Sequence, residues 1–244
     1  MDEKIFLSVI IPTYNEEKRL PKTLKEIHQY LSTKNYPWEI IIVNSASRDK
    51  TKEIVEELQK ELKNVVLINL EKNLGKGFAV RFGCQKARGE IVIFTDADNS
   101  TPIYQIEKFI PETEKGFDIV IASRDLKGAI LDPPQPPFRR LTGSGFKIYR
   151  KLILDLWEIA DTQCGFKVFK KEVIEKVFPL CKINGFAFDP EILILAKKKG
   201  YKIKEVPVYW KNDLESKVKI KNIFEMAFDL LKIRINLILN KYNL

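Results

Sequence analysis

Short apolar runs alternate with helix-like segments through the first half of the chain, and this alternation constrains the fold more than any other feature. The runs, rich in Val and Ile, lie at residues 5–11, 38–43, 65–70, 90–95 and 118–123. Such continuous hydrophobicity is typical of strands buried on both faces of a parallel sheet. The intervening segments have helical length and charge, so right-handed crossovers are expected. The sequence therefore predicts an α/β protein with an open, mostly parallel, Rossmann-like sheet flanked by helices.

The second half follows a different pattern. The segment LDPPQPPF at residues 131–138 is too rich in proline for a helix or a central strand and is expected to form a loop. A long amphipathic segment follows, and a helical pattern runs from about residue 220 to 239. No repeat or linker divides the chain, so we predict a single domain over residues 1–244. Within it, residues 124–244 are expected to pack on residues 1–123 as an elaboration of that first half.

Charge and cysteine content narrow the class of protein. The 42 Lys and Arg residues exceed the 33 Asp and Glu residues, which gives a net charge of +9 and favours an anionic partner such as nucleotide phosphate, nucleic acid or an acidic membrane. Aromatic and basic residues are not interleaved in a recognisable nucleic-acid module, so we predict no nucleic-acid binding. Three cysteines without a C-x-x-C pair indicate neither disulfides nor zinc and favour a reducing cytosol. The acidic N-terminus and its short apolar run predict a strand rather than a signal peptide or membrane span.

Polar residues directly follow four of the apolar runs. They lie at residues 12–16, 44–49, 96–100 and 124–125. Ligands of open α/β sheets bind outside the carboxyl ends of the strands, so these four clusters are expected to line one binding edge.

Asp96 and Asp98 are the most informative members of these clusters. Two carboxylates one residue apart at a strand end can turn towards one hard cation, Mg²⁺ or Mn²⁺, that also binds phosphate oxygens. The alternative is that they only form a turn, with Ser100 or Thr101 capping a helix that Pro102 opens.

Further segments resemble one enzyme family. SVIIPTYNEE at residues 8–17, the D-x-D, DTQCGFK at 161–167, AFDPEIL at 187–193 and VPVYW at 206–210 are similar to family 2 glycosyltransferases, and in particular to dolichyl-phosphate β-glucosyltransferases and their prokaryotic polyprenyl-phosphate relatives. This resemblance implies the A-type glycosyltransferase fold, with a nucleotide-sugar half (1–123) and an acceptor-side half (124–244). It also implies inverting transfer of a sugar, with UDP-glucose as the expected donor, to dolichyl or polyprenyl phosphate.

The same resemblance implies roles for particular residues. The UDP-sugar would be bound by Pro12, Tyr14, Glu16, Val43, Ser45, Lys76, Asp96, Ala97, Asp98 and Arg124. The acceptor phosphate would be bound by Arg139, Lys211 and Lys217, and Asp96 and Asp98 would hold Mg²⁺ or Mn²⁺. The catalytic set would be Asp98, Asp189 and Arg124, with an N-cap of the helix opened by Pro190 as the alternative role of Asp189.

The chain departs from the family pattern after the second strand. Asn44-Ser45-Ala46-Ser47 replaces Asp-Asp-Gly-Ser, and Asn99 replaces the glycine after the D-x-D, which is tolerable because Asn also adopts left-handed turns. Four alternatives therefore stay open: GDP-mannose or UDP-N-acetylglucosamine as donor, a non-lipid glycan acceptor, or a non-catalytic relative.

Two stretches, at residues 146–160 and 223–244, combine apolar faces with Lys and Arg as interfacial helices do. We therefore expect a cytoplasmic protein that associates peripherally with the inner face of the membrane. The alternative is that both stretches simply pack on the sheet, and a homodimer is left open.

Overall fold

The computed structural model describes residues 4–134, 137–212 and 220–244, without the side chains of residues 137–142 and 220. Its strands are Leu7–Thr13 (β1), Trp38–Asn44 (β2), Val65–Asn69 (β3), Ile91–Thr95 (β4), Ile119–Ser123 (β5), Ile130–Asp132 (β6), Phe166–Lys170 (β7), Ile203–Pro207 (β8) and Tyr209–Lys211 (β9). Its α-helices are Leu20–Leu31 (α1), Thr51–Glu61 (α2), Lys76–Lys86 (α3), Ile110–Glu114 (α4), Pro137–Leu154 (α5), Lys171–Lys176 (α6), Phe188–Lys198 (α7) and Ile220–Ile238 (α8). Two 3₁₀ helices span Ile103–Lys108 and Phe178–Leu180.

One seven-stranded sheet organises the molecule, in the order β3-β2-β1-β4-β7-β5-β8. The pairs β1–β2, β1–β4, β2–β3 and β5–β8 are parallel, which confirms the predicted mostly parallel sheet. Strand β7 is the exception, because it lies antiparallel between β4 and β5. The second half of the chain therefore supplies two strands to the sheet that the first half begins.

Both faces of the central strands are buried, as their continuous hydrophobicity predicts. Ile10 belongs to a core cluster on one face of the sheet, whereas Val9 and Ile11 belong to a cluster on the other. Helix α3 packs against β1 and β2 on the Ile10 side, and α1 contributes Leu24 and Ile27 to the opposite cluster. The carboxyl ends of β1, β2 and β4 thus meet at one edge between two helical layers.

The proline-rich segment is more ordered than the sequence predicts. Strand β6 covers Ile130–Asp132 and pairs with β9 in a separate two-stranded sheet, and α5 begins at Pro137. A proline fits the first helical position because no intrahelical partner exists there for the missing N–H. The expected loop at 131–138 is therefore wrong at both of its ends.

No helix within the described parts of the chain has both the length and the hydrophobicity needed to cross a bilayer.

Candidate active site

The loops after β1 and β2 are joined by hydrogen bonds, as two neighbouring strand ends should be. The Asn15 amide donates to Ser47 Oγ at 2.9 Å, and the Arg48 amide donates to Asn15 Oδ1 at 2.8 Å. The Glu16 amide donates to Thr51 Oγ1 at 2.8 Å. The structure therefore brings the first two polar clusters together at one edge of the sheet.

Asp96, which directly follows β4, faces the start of α3. Lys76, the first residue of α3, places its Nζ 2.6 Å from Asp96 Oδ1. Burial lowers the pKa of Lys76, but the charges of Asp96 and Asp189 outweigh it and leave that pKa above its ordinary value. The Lys76 ammonium is therefore firmly charged beside the D-x-D.

Gly165 determines where the Asp96 carboxylate can lie. A Cβ at this position would lie 1.9 Å from Asp96 Oδ2 and 2.4 Å from Asp96 Cγ. The Asp96 amide donates to the Gly165 carbonyl at 3.2 Å, so the two backbones are held against each other. Any side chain at position 165 would consequently displace the Asp96 carboxylate from this position.

Asp98 combines a binding position with a turn-forming one. Its Oδ2 lies 3.9 Å from Nη1 of Arg19, whose Nε and Nη2 each donate to the Glu16 carboxylate at 2.8 Å. Asp98 Oδ1 accepts a hydrogen bond from the Ser100 amide at 2.9 Å, so the predicted turn role is confirmed. Burial and the neighbouring Asp96 charge raise the pKa of Asp98. A cation bound beside Asp98 would therefore stabilise its ionised form.

Two residues at the site adopt left-handed backbone conformations where the family resemblance expects glycine. Asn99 has φ +50°, which confirms that Asn is accommodated here, and its Nδ2 donates to Glu26 Oε2 at 2.8 Å. Ala46 has φ +51° and pays a steric penalty through its Cβ. Asn44 steadies this turn by accepting a hydrogen bond from Ser47 Oγ at 2.5 Å.

Asp189 forms a buried ion pair rather than a helix cap. Helix α7 begins at Phe188 with Ala187 as its N-cap, so the predicted capping alternative is wrong. Asp189 Oδ1 lies 2.6 Å from Lys167 Nζ, and both side chains are almost completely buried. Burial raises the pKa of Asp189, although the charges of Lys167 and Lys76 oppose that change. Asp189 thus lies within the electrostatic reach of the Lys76–Asp96 pair.

Arg124, at the end of β5, is held in a two-pronged ion pair. Its Nε lies 2.7 Å from Asp161 Oδ2, and its Nη2 lies 3.0 Å from Asp161 Oδ1. Burial alone would raise the pKa of Asp161, but the Arg124 charge and hydrogen bonds hold it well below its usual range. The guanidinium carbon also lies 5.3 Å from the centre of the Trp210 ring. The orientation of Arg124 is therefore fixed from two sides.

Two of the other predicted donor-site residues have buried side chains. Val43 is fully buried in the core, so any contact that it makes with a ligand would come from its backbone. Ser45 is 4% exposed, and its amide donates to the Thr13 carbonyl at 2.9 Å.

The remaining predicted donor-site residues lie at the end of β1 and in the loops that follow β1 and β4. Pro12 pairs with Val43 across β1 and β2, and Tyr14 is exposed. Ala97 is buried between the two aspartates, and its carbonyl accepts a hydrogen bond from Thr23 Oγ1 at 2.8 Å.

The predicted acceptor-side residues are only partly described. Lys211 ends β9, and its amide donates to the Ser100 carbonyl at 2.7 Å, which brings it to the loop that follows Asp98. Arg139 belongs to α5, but its side chain lies outside the described residues, as does all of Lys217.

Four residues that shape this site had no role predicted from the sequence: Arg19, Asp161, Gly165 and Lys167. Three of them belong to the DTQCGFK segment, whose resemblance to the family was the signal that they matter. Arg19 follows Glu16 by three residues, a spacing that brings side chains together only where the chain turns helically.

A divalent cation would find two carboxylates here. Among residues 4–134, 137–212 and 220–244, no group of three or more His, Cys, Asp or Glu side chains is placed to hold a metal ion. Mg²⁺ and Mn²⁺ are commonly held by one or two carboxylates together with substrate phosphates and water. Asp96 and Asp98 fit that kind of site, because burial and the neighbouring Asp96 charge both raise the pKa of Asp98, and a bound cation would offset both effects.

Comparison with known proteins agrees with the geometry. The model of the family described as glycosyl transferase family 2 matches residues 8–178. The chain is 41% identical over 242 residues to a dolichyl-phosphate beta-glucosyltransferase of Trichomonas vaginalis, covering 95% of this chain and 73% of that protein. It is 33% identical to the dolichyl-phosphate beta-glucosyltransferase of Homo sapiens, covering 98% and 78%.

The predicted A-type glycosyltransferase fold is confirmed by a solved structure. Glucosyl-3-phosphoglycerate synthase of Mycobacterium tuberculosis, in complex with Mn²⁺, UDP and glucosyl-3-phosphoglycerate, superposes with a TM-score of 0.69 at 16% identity, over 95% of this chain and 79% of that one. At this identity the likeness concerns the fold alone. With the family model and the relatives taken together, the chain belongs to glycosyl transferase family 2.

Proposed function

We propose that this protein transfers glucose from UDP-glucose onto dolichyl or polyprenyl phosphate and forms a β-linked lipid-phosphate sugar. The observation that carries the proposal is 33–41% identity, over nearly the whole chain, to relatives named dolichyl-phosphate beta-glucosyltransferase. The charged groups collected at the carboxyl ends of β1, β4 and β5 are the chemistry that such substrates require, since both carry phosphate.

The reaction needs little acid–base help from the protein. The acceptor is a phosphate monoester whose second pKa is about 6, so at neutral pH it is largely a dianion. Its oxygen attacks C1 of glucose, the bond between C1 and the UDP oxygen breaks, and the electron pair leaves with the diphosphate. One such displacement inverts an α-linked donor to a β-linked product. The protein therefore acts mainly by aligning the two phosphates and stabilising the departing charge.

Lys76 is the protein cation best placed to serve the donor diphosphate. Its Nζ lies beside the D-x-D at the first residue of α3, where the helix dipole adds positive potential. Arg19 brings a second cation towards Asp98. Arg124 has a fixed guanidinium at the end of β5 and is proposed to contact donor or acceptor phosphate.

We assign Asp96 and Asp98 as the residues that would hold Mg²⁺ or Mn²⁺. When bound, the ion would offset the negative charge that develops on the departing diphosphate. The Mn²⁺ and UDP in the structure of the Mycobacterium tuberculosis synthase, which shares this fold, support the assignment.

Asp189 is proposed to position other groups rather than to move a proton. Its pairing with Lys167, at 2.6 Å inside the protein, leaves the carboxylate committed to a buried cation. The negative charge of Asp189 also helps to keep Lys76 protonated. The pair thereby holds the Lys76 side of the donor site in place.

The lipid acceptor places the reaction at a membrane surface. We propose that the protein associates peripherally with the cytoplasmic face of the membrane, where it would meet both the nucleotide sugar and the lipid phosphate.

A UDP-release assay tests this function. Purified protein is mixed with Mg²⁺ or Mn²⁺, a short-chain polyprenyl phosphate and, in separate reactions, UDP-glucose, UDP-N-acetylglucosamine or GDP-mannose. We expect nucleotide release from UDP-glucose only, dependent on the lipid, abolished in Asp98→Ala and unchanged in Glu61→Ala, an exposed carboxylate of α2. Preferred use of GDP-mannose would refute the donor assignment, and no turnover with any donor would refute the lipid-phosphate acceptor.

A further inference from the structure

Helix α8 carries two separate rows of large apolar side chains. The inner row packs into the core and consists of Met226, Leu230 and Ile233, which are at most 7% exposed. The second row, here named the outer stripe, consists of Phe224, Phe228, Leu231, Ile235 and Ile238. The alternating spacing of four and three residues keeps the outer stripe on one face of the helix, opposite the inner row.

The outer stripe is open to solvent along its whole length. Phe224, Phe228 and Ile238 are 65%, 72% and 69% exposed, and Ile235 is 52% exposed. Leu239 continues the row at 58% exposure. Packing on the sheet therefore accounts for only the inner half of the apolar residues in this helix. A continuous exposed row of this kind marks an interaction surface.

Basic side chains border the outer stripe on both sides. At about 100° per residue, Lys232 and Arg234 lie about 80° to either side of the stripe's centre line. Both are exposed, and so are Lys221 before the stripe and Lys241 after it. Lys221 lies 3.5 Å from the exposed Glu225, so the border is basic in its net charge rather than at every position. Lys and Arg in this position can keep their charges at the level of lipid head groups while their apolar stems follow the stripe.

We propose that the outer stripe of α8 lies flat in the head-group region of an anionic lipid bilayer. This inference rests on the proposed function, because a protein that uses a lipid acceptor must bind that acceptor at a membrane. From Phe224 to Ile238 the stripe is about 21 Å long, which suits a helix lying along the surface. The net positive charge of this border favours an anionic bilayer over a second copy of the chain, whose own border would carry the same net charge.

Vesicle flotation tests the proposal independently of turnover. The full chain is mixed with vesicles of phosphatidylcholine containing about one third phosphatidylserine, and the bound fraction is measured at low and high salt. The double variant Phe228→Ser/Ile235→Ser should lose about tenfold or more in vesicle affinity. The matched control Val66→Ser/Tyr104→Ser removes exposed apolar groups from β3 and the first 3₁₀ helix and should float like the wild type.

Charge and oligomeric state separate the remaining outcomes. Lys232→Glu/Arg234→Glu should weaken binding to anionic vesicles several-fold and change binding to pure phosphatidylcholine little. Equal flotation of the wild type and the stripe variant, or no flotation of either, would overturn the proposal. So would a wild-type dimer in sedimentation that the stripe variant converts to a monomer without loss of vesicle binding. Turnover with a short-chain, water-dispersed acceptor should survive in the stripe variant, which separates this test from that of the reaction itself.

Discussion

Replacing Gly165 with alanine should damage catalysis without damaging the fold. The added Cβ would lie 1.9 Å from Asp96 Oδ2, whereas Cβ atoms essentially never approach another heavy atom within 3.0 Å. The carboxylate must then move by more than about 1 Å, and a displacement of this size at a reacting centre can cost about a hundredfold in rate, or about 2.7 kcal/mol. Asp96 lies at the partly exposed end of a strand, so its side chain can yield while the backbone stays in place.

The assay is lipid-dependent UDP release, with thermal unfolding measured on the same samples. Gly145→Ala is the matched control, because a Cβ there meets nothing within 4 Å. We expect Gly165→Ala to lower kcat/KM about a hundredfold with little change in Tm, and Gly145→Ala to leave kcat/KM unchanged.

A double-mutant cycle with Asp96→Ala isolates the cause. If the methyl group acts by displacing the Asp96 carboxylate, Gly165→Ala should cost almost nothing further once that carboxylate is gone. Full activity in Gly165→Ala, or additive losses in the double variant, would refute the reasoning.

Three further substitutions test the surrounding framework by urea unfolding. Ala46→Gly should stabilise the protein by about 0.5–1 kcal/mol, because relief of the left-handed Cβ strain exceeds the added chain entropy; a loss of stability would contradict this. Arg124→Gln strands the buried Asp161 carboxylate and should cost about 3–5 kcal/mol at pH 7. Pairing with Arg124 holds the pKa of Asp161 below its usual value of about 3.9. The stability that this pair contributes is therefore present above pH 4 and is lost as the pH falls through the lowered folded-state pKa. The difference in unfolding free energy between the wild type and Arg124→Gln should accordingly shrink at pH 3. Tyr242→Phe removes a 2.7 Å hydrogen bond to Glu191 Oε1, which also accepts a backbone amide, and should cost about 1–3 kcal/mol; an unchanged midpoint would show that this buried contact adds nothing.

The parallel part of the sheet could be predicted because its information is local. Each apolar run predicts a buried strand, and the short helical crossovers fix the hand and direction of the next strand. Strand β7 could not be placed this way. CGFKVF predicts a strand or a turn, but its partners β4 and β5 lie more than 40 residues upstream, and nothing in a short apolar run encodes an antiparallel insertion between two given strands.

The anionic and the cationic residues of the site differ in how their positions are determined. Asp96 and Asp98 follow a predicted strand directly, so their place at the sheet edge can be deduced from a few neighbouring residues. Lys76 and Lys167 reach the same region from the start of α3 and from β7, 20 residues before Asp96 and 22 before Asp189 in sequence. Only the packing of α3 and the insertion of β7 bring them there.

Variants of the carboxylates and variants of the lysines should therefore lose activity for different reasons. A variant such as Asp98→Asn removes the negative charge but keeps an oxygen that can accept the Ser100 amide hydrogen bond, and it should leave the strand end intact, since β4 is held by its own hydrogen bonds. Removing Lys167 instead leaves Asp189 buried without its paired cation. An unpaired buried charge is destabilising, and here it weakens the packing of α7 against β7. Loss of activity in the first kind of variant therefore reports on phosphate or metal binding. Loss in the second kind reports on the framework that holds Lys76 near the donor, and it should come with a lower free energy of unfolding.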